Sequence, residues 1–128
     1  MSKVIVAVYG SLKKGRGNHQ HFLKDAEVIG EGVTQNKFKM LSMGAFPGLI
    51  DSTEPDNTAN VVVEVYQVDS DSFKSLDRLE GYPHFYTRRQ ETILLSNDKK
   101  IQAWIYILAK DDRHGTSFVT PVDDVVSW

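Results

Sequence analysis

Hydrophobic and polar positions repeat with period two in several separate stretches of this chain, and the spacing changes between Val68 and Arg88. In Val61 to Val68, Val61, Val63 and Val65 fall on one side and Glu64 and Tyr66 on the other, as in a strand. From Asp69 the spacing becomes helical. Phe73, Leu76 and Glu80 stand at i, i+3 and i+7 and project within a narrow arc, whereas Asp71, Lys74 and Arg78 point elsewhere. Asp69 or Ser70 can accept from an orphan N–H of the first turn, Gly81 suits the left-handed position past the helix end, and Pro83 cannot continue the helix. The pattern predicts a helix ending near Glu80, with that carboxylate on its apolar stripe.

The unbroken apolar run Val4 to Val8 is β-branched and short, so it reads as a central strand buried on both faces. It leads into Tyr9-Gly10-Ser11-Leu12 and a loop containing Gly15 and Gly17, where the backbone can turn sharply and approach a ligand. His19 to Lys24 reads as a short helix or turn with Asn18 as N-cap and Phe22 and Leu23 turned inward. From Glu27 to Leu41, Phe38 and Met40 alternate with Lys37 and Lys39, and Gly30 and Gly32 mark bends, which predicts one long curved strand or two short ones. Gly44 to Gly48 reads as a turn and Asp51 to Asn60 as a polar loop. Thr87 to Leu95 and Ile101 to Leu108 form a hairpin about Ser96 to Lys99, with Ile101, Ala103, Ile105 and Ile107 on one face. The stretch from Asp111 onward is polar apart from Phe118, Val125, Val126 and Trp128, a loop ending in a docked tail. Many strands and few helices indicate an α+β domain with a strongly curved sheet.

With 128 residues the chain is expected to be a single domain, 1–128, burying roughly two thirds of its unfolded surface. A hydrophobic fraction of 41%, a charged fraction of 25% and a net charge of −2 provide no global field to attract nucleic acid. The absence of cysteine excludes disulfides, thiol nucleophiles and thiolate metal sites. The N-terminal apolar run is too short for a signal peptide or a membrane span. A cytoplasmic protein acting without membrane or nucleic acid is therefore expected.

Among the side chains, Glu80 draws attention first. A carboxylate that loses water either finds a partner or has its pKa raised, and a raised pKa suits a general acid or base near neutral pH. The plainer alternative is a helix-end glutamate that reaches solvent or pairs with Arg88 or Arg89. Other chemistries fit less well. Gly10 to Gly17 approaches a P-loop, but Arg16-Gly17 stands where Lys-Ser/Thr should be. Ser11 lacks the second glycine of a nucleophile elbow, and His19 and His21 lie in its own segment. His19-x-His21 with His84 or His114 has no recognisable metal-ligand spacing, so no metal is expected. Tyr82, Phe85, Tyr86, Trp104 and Tyr106 could form an aromatic binding surface, although at strand spacing such residues more often pack the core and rim.

Four short motifs stand in order over nearly the whole chain: Tyr9-Gly10-Ser11-Leu12, Asn18-His19, Phe46-Pro47-Gly48-Leu49, and Leu76-Asp77-x-Leu79-Glu80-Gly81-Tyr82 followed by Tyr86-x-Arg88. The ordered set resembles the γ-glutamylcyclotransferase-like family, which includes AIG2-like and γ-glutamylamine cyclotransferase proteins. The resemblance implies a small mixed β-barrel flanked by short helices, with a cavity between the first loop and the glutamate. It also implies an enzyme that cyclises an L-γ-glutamyl group to 5-oxoproline and releases an amine, needing no cofactor. Glu80 would be the catalytic residue, and the amides of Tyr9, Gly10, Ser11 and Leu12 would hold the substrate's α-carboxylate and the developing oxyanion. Tyr86 would orient the glutamate or the substrate, and Arg88 would belong to the pocket or serve as a structural partner. The implied partner is a small γ-glutamyl compound, bound by a monomer or weak homodimer. A different class of function remains open on the same scaffold: a repurposed pocket for another small anion, such as a nucleotide, held by the loop and by Lys13, Lys14 and Arg16.

Overall fold

The computed structural model describes residues 3–10, 13, 23, 26–44, 46–52, 54–109 and 117–128. Five strands close into a mixed barrel: β1 (Lys3–Val8), β2 (Glu27–Ser42), β4 (Thr58–Asp69), β5 (Tyr86–Leu95) and β6 (Lys100–Leu108). Around the barrel they run β2-β5-β6-β1-β4, with β4 pairing back onto β2. β1 and β6 are parallel and the other neighbours antiparallel. Three short strands extend the sheet: β3 (Pro47–Ile50) and β7 (Ser117–Phe118) pair with β2, and β8 (Val125–Val126) runs parallel to β4.

Closure depends on β2 bending far enough to touch both β4 and β5. Its register against β4 shifts between Val28 and Gly30 and again between Val33 and Lys37, so the strand is continuous but twice bulged. Gly32 permits the contact with β5, because a Cβ there would lie 2.3 Å from the Leu94 carbonyl oxygen. The predicted long curved strand is thus a single element.

Alternation on each strand divides the core into two layers. Ala7, Phe38, Val61, Val63, Val65, Ala103, Ile105 and Ile107 fill the barrel interior. Val6, Val8, Tyr66, Val68 and Tyr106 face outward and are covered by the helix α1 (Ser70–Glu80), whose Leu76 is fully buried among them. This accounts for the unbroken apolar run of β1, which supplies both layers.

α1 follows β4 without a loop. The Asp69 side chain accepts from the Ser72 amide at 2.7 Å, and Gly81 closes the helix in the left-handed conformation at φ 66°. Since Asp69 pairs with Lys3 and α1 packs back over β4 and β1, the helix travels in the direction of β1. Eleven helical residues cover about 16 Å and six strand residues about 20 Å, so Glu80 arrives near the end of β1.

Some expectations shift in detail. The turn placed at Gly44 to Gly48 ends earlier, since Pro47 and Gly48 already belong to β3, and the polar loop from Asp51 gives way to β4 at Thr58. The docked tail contains two short strands, with Val126 buried and Trp128 packed against the barrel core. The segment read as a short helix from His19 to Lys24 lies outside the described residues except for Leu23, which is buried. No helix of the described residues is long and apolar enough to cross a membrane.

Candidate functional site

A cavity of about 480 Å³ opens at the end of the barrel where β1, β3 and the C-terminus of α1 meet. Its inner wall includes Tyr9 and Gly10 from the end of β1, Pro47 from β3, Glu80 from α1, and Tyr86 and Tyr106 from β5 and β6. Phe46, Leu79 and Phe85 stand around its mouth. Residues about seventy positions apart in the chain therefore share one chamber.

The Glu80 carboxylate makes no hydrogen bond or ion pair among the described residues. It is half-buried, and loss of solvent pushes its pKa up to about 7 from an ordinary 4.5. Its charge reaches the surrounding phenols. Burial first, and then the neighbouring tyrosine and Glu80 charges, hold the Tyr9 hydroxyl far above its usual range. Burial and Glu80 do the same to Tyr86. A carboxylate at the edge of ionisation thus faces neutral phenols and apolar surface, and although Arg78 also lines the cavity, no cation among the described residues pairs with Glu80 to fix it as a permanent anion.

The arginines expected to compete for Glu80 are engaged elsewhere. Arg88 grips Asp77 with both arms of its fork, at 2.8 and 3.1 Å, and its guanidinium lies over the rings of Phe73, Tyr82 and Trp104. Asp77 also accepts the Tyr106 hydroxyl at 2.7 Å. Arg89 bridges Asp51 and Glu91 on another part of the surface, with contacts of 2.6 and 2.9 Å. Arg88 is thereby a structural partner that ties α1 to β5.

The tyrosines hold the chamber's walls together. Tyr9 donates to the Tyr106 carbonyl at 2.7 Å, and Tyr86 donates to the Pro47 carbonyl at 2.5 Å. The Tyr86 hydroxyl is spent on β3, so its influence on Glu80 comes through its placement in the wall. Gly10 is needed where it sits: a Cβ there would meet Pro47 Cδ and Cγ at 2.9 Å.

Of the other residues predicted for the site, Ser11 and Leu12 lie outside the described residues, as do Lys14 and Arg16. Lys13 is described, and its ammonium lies 3.4 Å from Ser127 Oγ and 3.3 Å from the Trp128 carbonyl, away from the cavity lining. No cluster of three or more metal-ligating side chains occurs among the described residues. The sequence reading did not assign Phe46, Pro47, Leu79, Phe85 or Tyr106 to the site. The Phe46-Pro47-Gly48 motif was the available signal for the first two and the aromatic set for Phe85 and Tyr106, while nothing in the local pattern placed Leu79 there.

Comparison with known proteins is consistent with this geometry. Residues 6–123 match the family model described as gamma-glutamyl cyclotransferase, AIG2-like. A relative from Methanocaldococcus jannaschii, provisionally named a gamma-glutamylcyclotransferase, is 41% identical over 101 residues, covering 79% of this chain and 81% of that protein. The gamma-glutamylaminecyclotransferase A of Danio rerio is 32% identical over 109 residues, covering 79% of this chain and 66% of its own. In fold, the chain is similar to the crystal structure of an AIG2-like protein from Mus musculus, with a TM-score of 0.78 and 24% identity over 89% of this chain and 82% of that one.

Proposed function

Because the chain belongs to the gamma-glutamyl cyclotransferase, AIG2-like family, we propose that it cyclises an L-γ-glutamyl group to 5-oxoproline and releases the amine, with Glu80 as general acid and base. The observation that carries this reading is the Glu80 carboxylate, without a partner among the described residues and poised near pH 7 in the wall of a cavity that Tyr9 and Gly10 also line. A pKa close to the working pH lets one group both accept and return a proton.

The substrate's α-ammonium gives a proton to Glu80, and the freed amine attacks its own γ-carbonyl carbon. A carbon–nitrogen bond forms, closing the five-membered ring, and the carbonyl oxygen takes up negative charge. Backbone amides in the Tyr9 to Leu12 turn are the proposed donors to that oxygen and to the α-carboxylate, with Gly10 providing close approach. When the tetrahedral centre collapses, Glu80 returns the proton to the leaving nitrogen and the bond to that amine breaks; the second proton on the ring nitrogen then passes by way of the Glu80 carboxylate to the released amine, which departs as an ammonium and leaves the neutral lactam. Nucleophile and electrophile belong to one molecule, so a chamber that folds the chain back on itself supplies much of the acceleration by preorganisation. The volume of about 480 Å³ lies in the range of small-molecule sites and accommodates a glutamyl group with part of its amine.

The test is direct. Purified protein is incubated with a panel of γ-glutamyl conjugates and 5-oxoproline is quantified. Formation from at least one conjugate, greatly reduced by Glu80→Gln, supports the reading; no product from any conjugate overturns it.

A further inference from the structure

Three of the large apolar side chains that the described structure leaves exposed gather at the mouth of one cavity: Phe46 at 37%, Leu79 at 37% and Phe85 at 45%. Exposed apolar residues scattered singly need no explanation, whereas a cluster rimming a polar site marks a binding surface. Their surroundings make the rim a fixed structure. Phe85 is pinned on both sides, its N–H donating to Gly81 and its carbonyl accepting from Ala109, each at 2.9 Å. Gly81 is part of the same device, since its left-handed backbone ends the helix and a Cβ there would lie 3.2 Å from Phe85 Cβ. The Phe46 carbonyl accepts from the Met43 amide at 2.8 Å. The Phe46 and Phe85 rings meet edge to face with centroids 6.0 Å apart, and Phe85 meets Tyr86 in the same way at 5.0 Å, so one aromatic wall runs from the mouth to the interior.

The charges complete the picture. Glu80 is the sole carboxylate among the described lining residues, so none of these offers a second anion to a cationic leaving group. Arg78 also contributes to the lining, and its guanidinium donates to Ser75 Oγ at 3.0 Å with no acidic partner among the described residues. Among the described residues, an apolar rim with the Arg78 cation and no second carboxylate favours an uncharged or anionic amine component and disfavours one that carries a further ammonium.

Resting on the cyclisation reading, we infer that Phe46, Leu79 and Phe85 form the subsite for the leaving amine, and that the preferred substrates are γ-glutamyl conjugates of amines or amino acids with aromatic or branched aliphatic side chains. Binding at the rim would bury the leaving group's side chain while the glutamyl part occupies the chamber by Glu80. Discrimination by such a surface is modest and follows the apolar area covered.

The experiment measures kcat/KM of the wild-type protein for 5-oxoproline release from γ-glutamylphenylalanine, γ-glutamylleucine, γ-glutamylglycine and Nε-(γ-glutamyl)lysine. The phenylalanine and leucine conjugates are expected to exceed the other two by at least about tenfold. In Phe85→Ala the ratio of phenylalanine to glycine conjugate is expected to fall several-fold, and Phe85→Leu to recover part of it. Comparable values across the wild-type panel, or a preference for the glycine or lysine conjugate, overturn this inference and leave the cyclisation intact. Absence of product from every conjugate overturns both. The wild-type panel decides even if a variant does not fold.

Discussion

Asp77 and Glu80 stand one turn apart on the same side of α1, and only Asp77 has partners: it takes both arms of the Arg88 fork and the Tyr106 hydroxyl, while Glu80 takes none among the described residues. The two carboxylates divide the work of the helix end. Asp77 anchors α1 to β5 and β6, and by absorbing the nearby guanidinium it leaves Glu80 free to be governed by desolvation alone. Had Arg88 paired with Glu80, the carboxylate would be held as an anion well below neutral pH and would serve poorly as an acid.

Glu80→Gln should reduce turnover by at least about a hundredfold, the usual scale for an acid or base group, while folding is preserved. The same change should stabilise the protein at pH 8. Glu80 has a folded pKa of about 7, raised above the ordinary 4.5, so the folded state binds the extra proton between those values. Its contribution to stability is full below pH 4.5 and is lost as pH rises through 7. Glutamine escapes that loss, a gain of about 2 kcal/mol once partial solvent access is allowed for. Urea unfolding of both proteins at pH 8 and pH 4 checks this: the difference expected at pH 8 should shrink at pH 4.

Gly10→Val should damage both the site and its support. Its Cβ would press on the Pro47 ring at 2.9 Å, narrowing the cavity between β1 and β3. A fall in kcat/KM of tenfold or more is expected, with a lowered melting temperature. Ser11→Ala should cost much less, because the proposed role of that position lies in its amide. An equally severe loss in Ser11→Ala at unchanged stability would point to a hydroxyl function.

The sequence disclosed α1 almost to the residue, because the cap at Asp69, the stop at Gly81 and the change of period are all local signals. The β5–β6 hairpin and the two faces of β4 were legible for the same reason. The barrel itself was not readable from pattern, since closure depends on β2 reaching both β4 and β5, a pairing across long stretches of chain. It came from the ordered motifs. Glu80 stood out because a carboxylate interrupted an apolar stripe. Phe85 and Tyr106 did not, because aromatic residues at strand spacing look alike whether they fill a core or line a chamber. The destination of Arg88 was equally hidden, since choosing Asp77 over Glu80 depends on how β5 lies against the helix.

Asp77→Ala should destabilise the protein by about 2 to 4 kcal/mol in urea unfolding, because it strands the Arg88 guanidinium among Phe73, Tyr82 and Trp104 and removes the acceptor of the Tyr106 hydroxyl. Arg88→Lys should lose much of that stability as well, since an ammonium cannot reproduce the two-armed contact. Unfolding curves unchanged in both variants would contradict the anchoring role assigned to the pair.

The central claim is that Glu80 does the proton transfer in cyclisation, and the pH profile of 5-oxoproline formation tests it most directly. With a γ-glutamyl conjugate that the wild-type protein turns over, kcat/KM should rise with pH along a limb whose midpoint lies near 7, the value to which burial raises Glu80. In Glu80→Gln the residual rate should be at least about a hundredfold lower and should lack that limb. A Glu80→Gln protein that forms 5-oxoproline at the wild-type rate, with the same limb near pH 7, would contradict the account.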